Sequence, residues 1–192
     1  MVGVLASTRG TDLQAIIDAI ESKQLNAKIG LVIANKPDAF ILERAKKHAI
    51  TGLFVDPKSF PSREAYDTHL ALEMKKNGVQ FVLCIGYNKI ITKPLIDAFE
   101  NRILNVHPSL LPAFAGKFDA DVHQDVLDAG VKVSGATVHI VTKEVDAGPI
   151  VAQRAVSIEE GETRESLKSK VQAIEGEMLV DAIRKFAEGK VR

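Results

Sequence analysis

The sequence predicts an α/β fold: a doubly wound, mostly parallel sheet with an antiparallel hairpin added near the carboxyl end and a long final helix. Three observations predict it. Several short runs are apolar throughout, without the alternation of a strand that has one wet face. Stretches with helical apolar spacing separate them. After Arg102 the rhythm changes, and two extended segments follow one another across a turn.

Val2–Ala6 is the first apolar run, followed by the loop Ser7-Thr8-Arg9-Gly10 and a helix with Leu13, Ile16, Ile17 and Ile20 on one stripe. Thr11 with Gln14 three residues on fits a capping box, which predicts that the helix starts at Thr11. Ile29–Ala34 is a second strand, 39–48 a second helix and 53–55 a short third strand. A third helix spans 62–76, with Tyr66, Leu70 and Met74 four apart, and Phe81–Ile85 is the most apolar strand. Ile103–His107 is a further strand, but it stops at Pro108 and leads into a long loop. Val126 and Leu127 suggest a short helix before Gly130; 131–141 is extended, Asp146-Ala147-Gly148-Pro149 is a turn, and 150–156 returns as a strand. The last helix, 163–188, carries Leu167, Val171, Ile174, Met178 and Ile183 on its core stripe.

A chain of 192 residues has room for one domain of ordinary size. The expectation is a single domain over 1–192, with a phosphate-binding half at 1–100 and a catalytic half at 101–192. Lys and Arg total 25 and Asp and Glu total 25, so there is no basic excess to hold nucleic acid or an anionic membrane, and neither is an expected partner. No secretory signal or membrane-length apolar run is present, and the one cysteine, Cys84, sits in an apolar strand. A cytoplasmic location is expected; whether the chain forms a homodimer is left open.

Asn105 and His107 are two apart on a strand and so project from one face, at the strand end where open α/β sheets bind ligands. A carboxamide can donate to a developing oxyanion, and an imidazole can move a proton near neutral pH. The plain alternative is a polar strand end, with Asn105 capping a turn and His107 bonded to backbone. Asp146, in its tight turn, could be returned beside His107 by the hairpin to orient the ring; its ordinary role is to initiate the turn. The loop from Ser7 to Asp12 could cradle a phosphate with its amides and the helix start, yet it has neither the spaced glycines of a dinucleotide fingerprint nor the Gly-Lys-Ser/Thr ending of a P-loop. His48 and His69 read as solvated helix residues and His139 as a satisfied structural histidine. A zinc site from His107, His123 and His139 lacks a close ligand pair, so no metal is expected.

Three segments together are highly specific. They are Asn105-Val106-His107-Pro108-Ser109-Leu110-Leu111-Pro112, then Gly135-Ala136-Thr137-Val138-His139, then Val145-Asp146-Ala147-Gly148-Pro149-Ile150. They resemble the signature of the folate-dependent formyltransferases, which have a Rossmann-like fold. The loop Ser7-Thr8-Arg9-Gly10-Thr11-Asp12 is similar to that of the members that formylate glycinamide ribonucleotide in purine synthesis. The resemblance covers essentially the whole chain. It implies 10-formyltetrahydrofolate as formyl donor and glycinamide ribonucleotide as acceptor, with Asn105, His107 and Asp146 as the catalytic trio. It implies ribonucleotide contacts at Gly10, Thr11, Asp12, Gln172 and Glu175. Folate contacts would fall to Arg63, Asn88, Lys89, Ile90 and Ile91, and to Asn105, Thr142, Lys143, Glu144, Val145 and Asp146. Departures are Asn88-Lys89, where Met-Arg is common, and a longer stretch at Lys117-Phe118-Asp119-Ala120. Formyltetrahydrofolate hydrolases resemble the core but add an amino-terminal domain; tRNA formyltransferases add a carboxyl-terminal domain and a basic surface. This chain is expected to carry neither. A noncatalytic module that binds a nucleotide or folate is the reading from another functional class.

Overall fold

The computed structural model describes residues 1–117 and 119–190, without the side chains of 119–121. Its elements run β1 (Val2–Ala6), α1 (Thr11–Glu21), β2 (Ile29–Ala34), α2 (Phe40–Lys47), β3 (Gly52–Phe54), α3 (Arg63–Lys76), β4 (Phe81–Ile85), α4 (Lys93–Ala98), β5 (Ile103–His107), α5 (Asp119–Asp128), β6 (Val133–Ile140), β7 (Ile150–Ser157) and α6 (Arg164–Ala187). The strands form one sheet in the order β3-β2-β1-β4-β5-β6-β7. The first five are parallel, and β6 and β7 are antiparallel to their neighbours.

Burial on both faces is why the parallel strands lack alternation. Every residue of β1 and β4 is buried. Because successive side chains point to opposite faces, Val2, Val4 and Ala6 join a core with α1, α5 and α6, whereas Leu5 packs on the other side with α3 and α4. The chain winds outward from β1 to β2 and β3, then crosses back to β4 on the other side of β1. That reversal opens a crevice beyond the carboxyl ends of β1 and β4, the usual ligand position in such sheets.

Local signals explain most element boundaries. Ser62 caps α3, its hydroxyl accepting from the Ala65 amide at 3.1 Å. Thr163 and Ser166 form a reciprocal capping box on α6. Gly176 lets α6 approach α1 closely: a Cβ there would lie 2.5 Å from that of Ala15.

The expected capping box at Thr11 and Gln14 is not formed. Gly10, in the left-handed region at φ 65, is the N-cap of α1, and no side chain caps it. Gln14 instead spans toward α2, its amide donating to Asp18 at 2.7 Å and its oxygen accepting from Arg44. The short helix α4 was not anticipated, since six residues carry little periodic signal; Pro94 in its first turn is the cue that was present. Helix α5 is longer than the Val126-Leu127 cue suggested, and β3 begins and ends one residue earlier than expected. His48 is not a solvated side chain: it is only partly exposed and pairs with Glu21 at 2.7 Å. His69 is likewise half-buried, beside the ring of Phe60. Of the stretch Lys117-Phe118-Asp119-Ala120, Phe118 and the side chains of 119 and 120 lie outside what is described. Among the described residues no helix is long and apolar enough to cross a membrane.

Candidate active site

A cleft of about 480 Å³ lies at the carboxyl ends of β1, β4 and β5. Its floor at one end is the loop after β1. Gly10 is buried there, and at φ +65 a Cβ would sit 2.5 Å from Ile41 Cγ1 and Cδ1, so both the backbone and the space demand glycine. The N-cap of α1 is a glycine, which has no side chain of its own to cover the first amides of the helix. A helix start of this kind favours an anion. Thr11 and Asp12 line the same end, as do Gln172 and Glu175 from α6. Asp12 and Glu175 are both buried.

Asn105 and His107 project from one face of β5 into the middle of the cleft. His107 is buried, and its Nε2–H donates to the Phe114 carbonyl at 3.1 Å. Its Nδ1 lies 3.4 Å from Asp146 Oδ2. Asp146 Oδ2 also accepts from the Gly116 amide at 2.8 Å. The loop after β5 thus holds the imidazole through one residue and the carboxylate through another.

Asp146 sits in the left-handed region at φ 54, which is uncommon for a residue with a side chain and is tolerated best by Asp and Asn. That conformation turns its carboxylate inward from the β6–β7 connection. Gly148 supports the turn, because a Cβ there would collide with the Ile140 carbonyl.

His139 completes the cluster. In the β5–β6 register Asn105 stands opposite His139. His139 Nδ1 donates to the Ile140 carbonyl at 3.1 Å, and its Nε2 accepts from Asn105 Nδ2, also at 3.1 Å. Asp146 Oδ1 is 3.5 Å from the same Nε2. One hydrogen of the Asn105 amide is therefore committed to His139, fixing the carboxamide plane and leaving the other to point elsewhere.

The electrostatics follow from this packing. Burial pushes His107 below the ordinary imidazole range, opposed by the Asp146 charge and the Phe114 carbonyl, both of which favour the cation. Burial also acts to raise Asp146, while the Gly116 amide and His107 act to lower it, and the net effect holds the carboxyl below its usual range. Both directions favour a neutral imidazole beside an ionised carboxylate. Such a pair can receive and pass on one proton.

Of the residues singled out from the sequence, the cleft brings together Gly10, Thr11, Asp12, Asn88, Lys89, Ile90, Ile91, Asn105, His107, Thr142, Glu144, Val145, Asp146, Gln172 and Glu175. Arg63 and Lys143 are exposed and stand outside its wall. His139 was expected to be structural; its ring is satisfied, but through the carboxamide of Asn105, and it lines the cleft. His123 lies inside α5, fully buried. No group of three or more His, Cys, Asp or Glu side chains suited to a metal ion occurs among the described residues.

A family model described as formyl transferase matches residues 1–183. The chain is 37% identical over its whole length to the trifunctional purine biosynthetic protein adenosine-3 of Bos taurus, of which it spans only 19%. Phosphoribosylglycinamide formyltransferase of Escherichia coli (strain K12) is 35% identical, over 98% of this chain and 88% of that one. The crystal structure of glycinamide ribonucleotide transformylase 1 from Symbiobacterium toebii superposes with a TM-score of 0.95 at 45% identity, covering 98% of this chain and 87% of that one. With a family match over nearly its whole length and full-length relatives above 30% identity, the chain belongs to the formyl transferase family.

Proposed function

We propose that this protein transfers the formyl group of 10-formyltetrahydrofolate to the primary amine of glycinamide ribonucleotide, releasing tetrahydrofolate. The observation that carries the reading is the meeting of Asn105, His107 and Asp146 in a cleft that also takes in the glycine-capped start of α1. A phosphorylated amine bound by its phosphate at Gly10, Thr11 and Asp12 would extend toward the trio, passing Gln172 and Glu175. The folate would lie along 88–91 and 142–146, with Ile90, Ile91 and Val145 as apolar contacts. Arg63 and Lys143, exposed beyond the wall, would reach only the acidic tail of the folate.

The amine nitrogen attacks the formyl carbon, forming a carbon–nitrogen bond and placing the carbonyl electron pair on oxygen. The free hydrogen of the Asn105 amide donates to that oxygen. The attacking nitrogen, now cationic, must lose a proton, and the Asp146–His107 pair receives it, converting the imidazole to its cation beside the oxyanion. Collapse of the intermediate breaks the bond to the folate nitrogen, which leaves with that proton. Charge and atoms balance without a further reactant. Holding both substrates in one cleft supplies much of the acceleration, because a bimolecular encounter becomes a local one. The reaction fits a cytoplasmic protein, with the two small molecules as its partners.

The test is release of tetrahydrofolate with and without the amine. Release is expected only when glycinamide ribonucleotide is present. Equal release in its absence would make the protein a hydrolase, and no release with either would leave a binding module. Gly10→Val tests the phosphate end: it should raise the KM for the ribonucleotide about ten-fold, since an anion at a helix start is worth up to ~2 kcal/mol. An unchanged KM would place the phosphate elsewhere.

A further inference from the structure

Three consecutive strands of the sheet, β2, β1 and β4, end side by side, and one side chain links all three ends. Asn88, beyond β4, exchanges two hydrogen bonds with Ser7, beyond β1. The Ser7 hydroxyl donates to Asn88 Oδ1 at 2.8 Å and accepts from the Asn88 backbone amide at 3.0 Å. The same Oδ1 accepts from Asn35 Nδ2, beyond β2, at 2.9 Å. Both lone pairs of the Asn88 carbonyl are therefore used within the protein. Ser7 and Asn35 are buried, and neither lines the cleft. Asn35 keeps its own Oδ1 buried without a hydrogen bond among the described residues, a cost that plain packing gives no reason to carry.

The two loops so linked both line the cleft. Ser7 leads directly into Thr8, Gly10, Thr11 and Asp12; Asn88 leads directly into Lys89, Ile90 and Ile91. They also touch at a second point, where Gly86, at φ +55, leaves no room for a side chain against Thr8 Oγ1. We propose that Asn88 is a positioning residue: its carboxamide, held by Ser7 and Asn35, fixes the spacing between the loop at the ribonucleotide end and the loop at the folate end. This rests on the substrate assignment above, and it gives Asn88 a task other than direct contact with the folate. Such spacing matters because misplacing either substrate by a fraction of the reacting distance removes the advantage of binding both.

Ser7→Ala is the decisive variant, since Ser7 is buried and does not line the cleft. Calorimetric titration with tetrahydrofolate, which carries no formyl group, should show affinity weakened about five-fold, because both hydrogen bonds between Ser7 and Asn88 are lost and only part of that loss reaches the ligand. In steady-state turnover Ser7→Ala and Asn88→Leu should each raise the KM for both substrates about five-fold while kcat changes by less than about two-fold. The double variant should fall short of the two single losses multiplied together, because both singles remove the bond from the Ser7 hydroxyl to Asn88 Oδ1. Thermal unfolding identifies any variant that loses its fold, and Ser7→Ala, the smaller change, then carries the test. Unchanged tetrahydrofolate affinity in Ser7→Ala, or a rise confined to the ribonucleotide KM there and to the folate KM in Asn88→Leu, would overturn the proposal. Failure of the substrate assignment looks different, because the unaltered protein would then transfer no formyl group at all.

Discussion

Replacing His107 by alanine is expected to lower kcat by about 10²–10⁴, the range of a positioned acid–base side chain, while the ribonucleotide KM changes by less than about three-fold. The split follows from where the ring stands. It faces Asp146 in the middle of the cleft, away from the Gly10 end where the phosphate would bind. The pH profile adds a sign. Burial lowers the His107 value from the ordinary 6.5, so the ring stays neutral, and able to take the amine proton, to a more acidic pH than a solvated histidine would. The acid limb of kcat/KM should therefore fall below 6.5, with activity lost as pH drops through it. Asp146 does not confuse the limb, because its own value is held below the ordinary 3.8 and it remains ionised throughout that window. Asp146→Asn should lower kcat as severely as His107→Ala and move the remaining limb further toward acid, since it removes the charge that favours the imidazolium. A limb above 6.5, or one that Asp146→Asn leaves in place, would remove the proton-transfer role.

Asn105→Leu should cost about 10²–10³ in kcat, the usual effect of deleting one donor to a tetrahedral oxyanion. The carboxamide is aimed before substrate arrives, because His139 holds one of its hydrogens at 3.1 Å. Prior aiming is what gives such a donor its strength in the transition state. His139→Ala should consequently lose part of the same activity without itself touching the oxygen. Steady-state rates of the two single variants and the double one would read this: if the losses multiplied in the double variant, His139 would be acting on its own account rather than through Asn105.

The sequence was legible wherever structure depends on neighbours in the chain. The continuous apolar character of Val2–Ala6 and Phe81–Ile85 told of strands covered on both faces, and two-residue spacing told that Asn105 and His107 share one. The approach of Asp146 could be considered because a turn and a returning strand were visible around it. What depended on pairing between distant strands was hidden. Nothing local says that Asn105 stands opposite His139; the register of β5 on β6 says it, and that is fixed only when the sheet forms. The same is true of the cap of α1. Thr11 and Gln14 satisfied the local rule, but Gly10 took the cap because its left-handed backbone turns the chain into the cleft, and Gln14 was drawn to Arg44 on another helix.

The loop after β5 has an origin that reaches beyond its own residues. Thr137, on β6, accepts from the Leu111 amide and donates to the Ser109 carbonyl, while Gln153, on β7, donates to the Leu111 carbonyl and to Thr137. A few residues further on, that loop supplies the carbonyl that grips His107 and the amide that grips Asp146. The imidazole thus inherits its orientation from the antiparallel pair at the margin of an otherwise parallel sheet. Drift in the sequence of that margin would shift His107 and Asp146 relative to each other while leaving both residues in the chain.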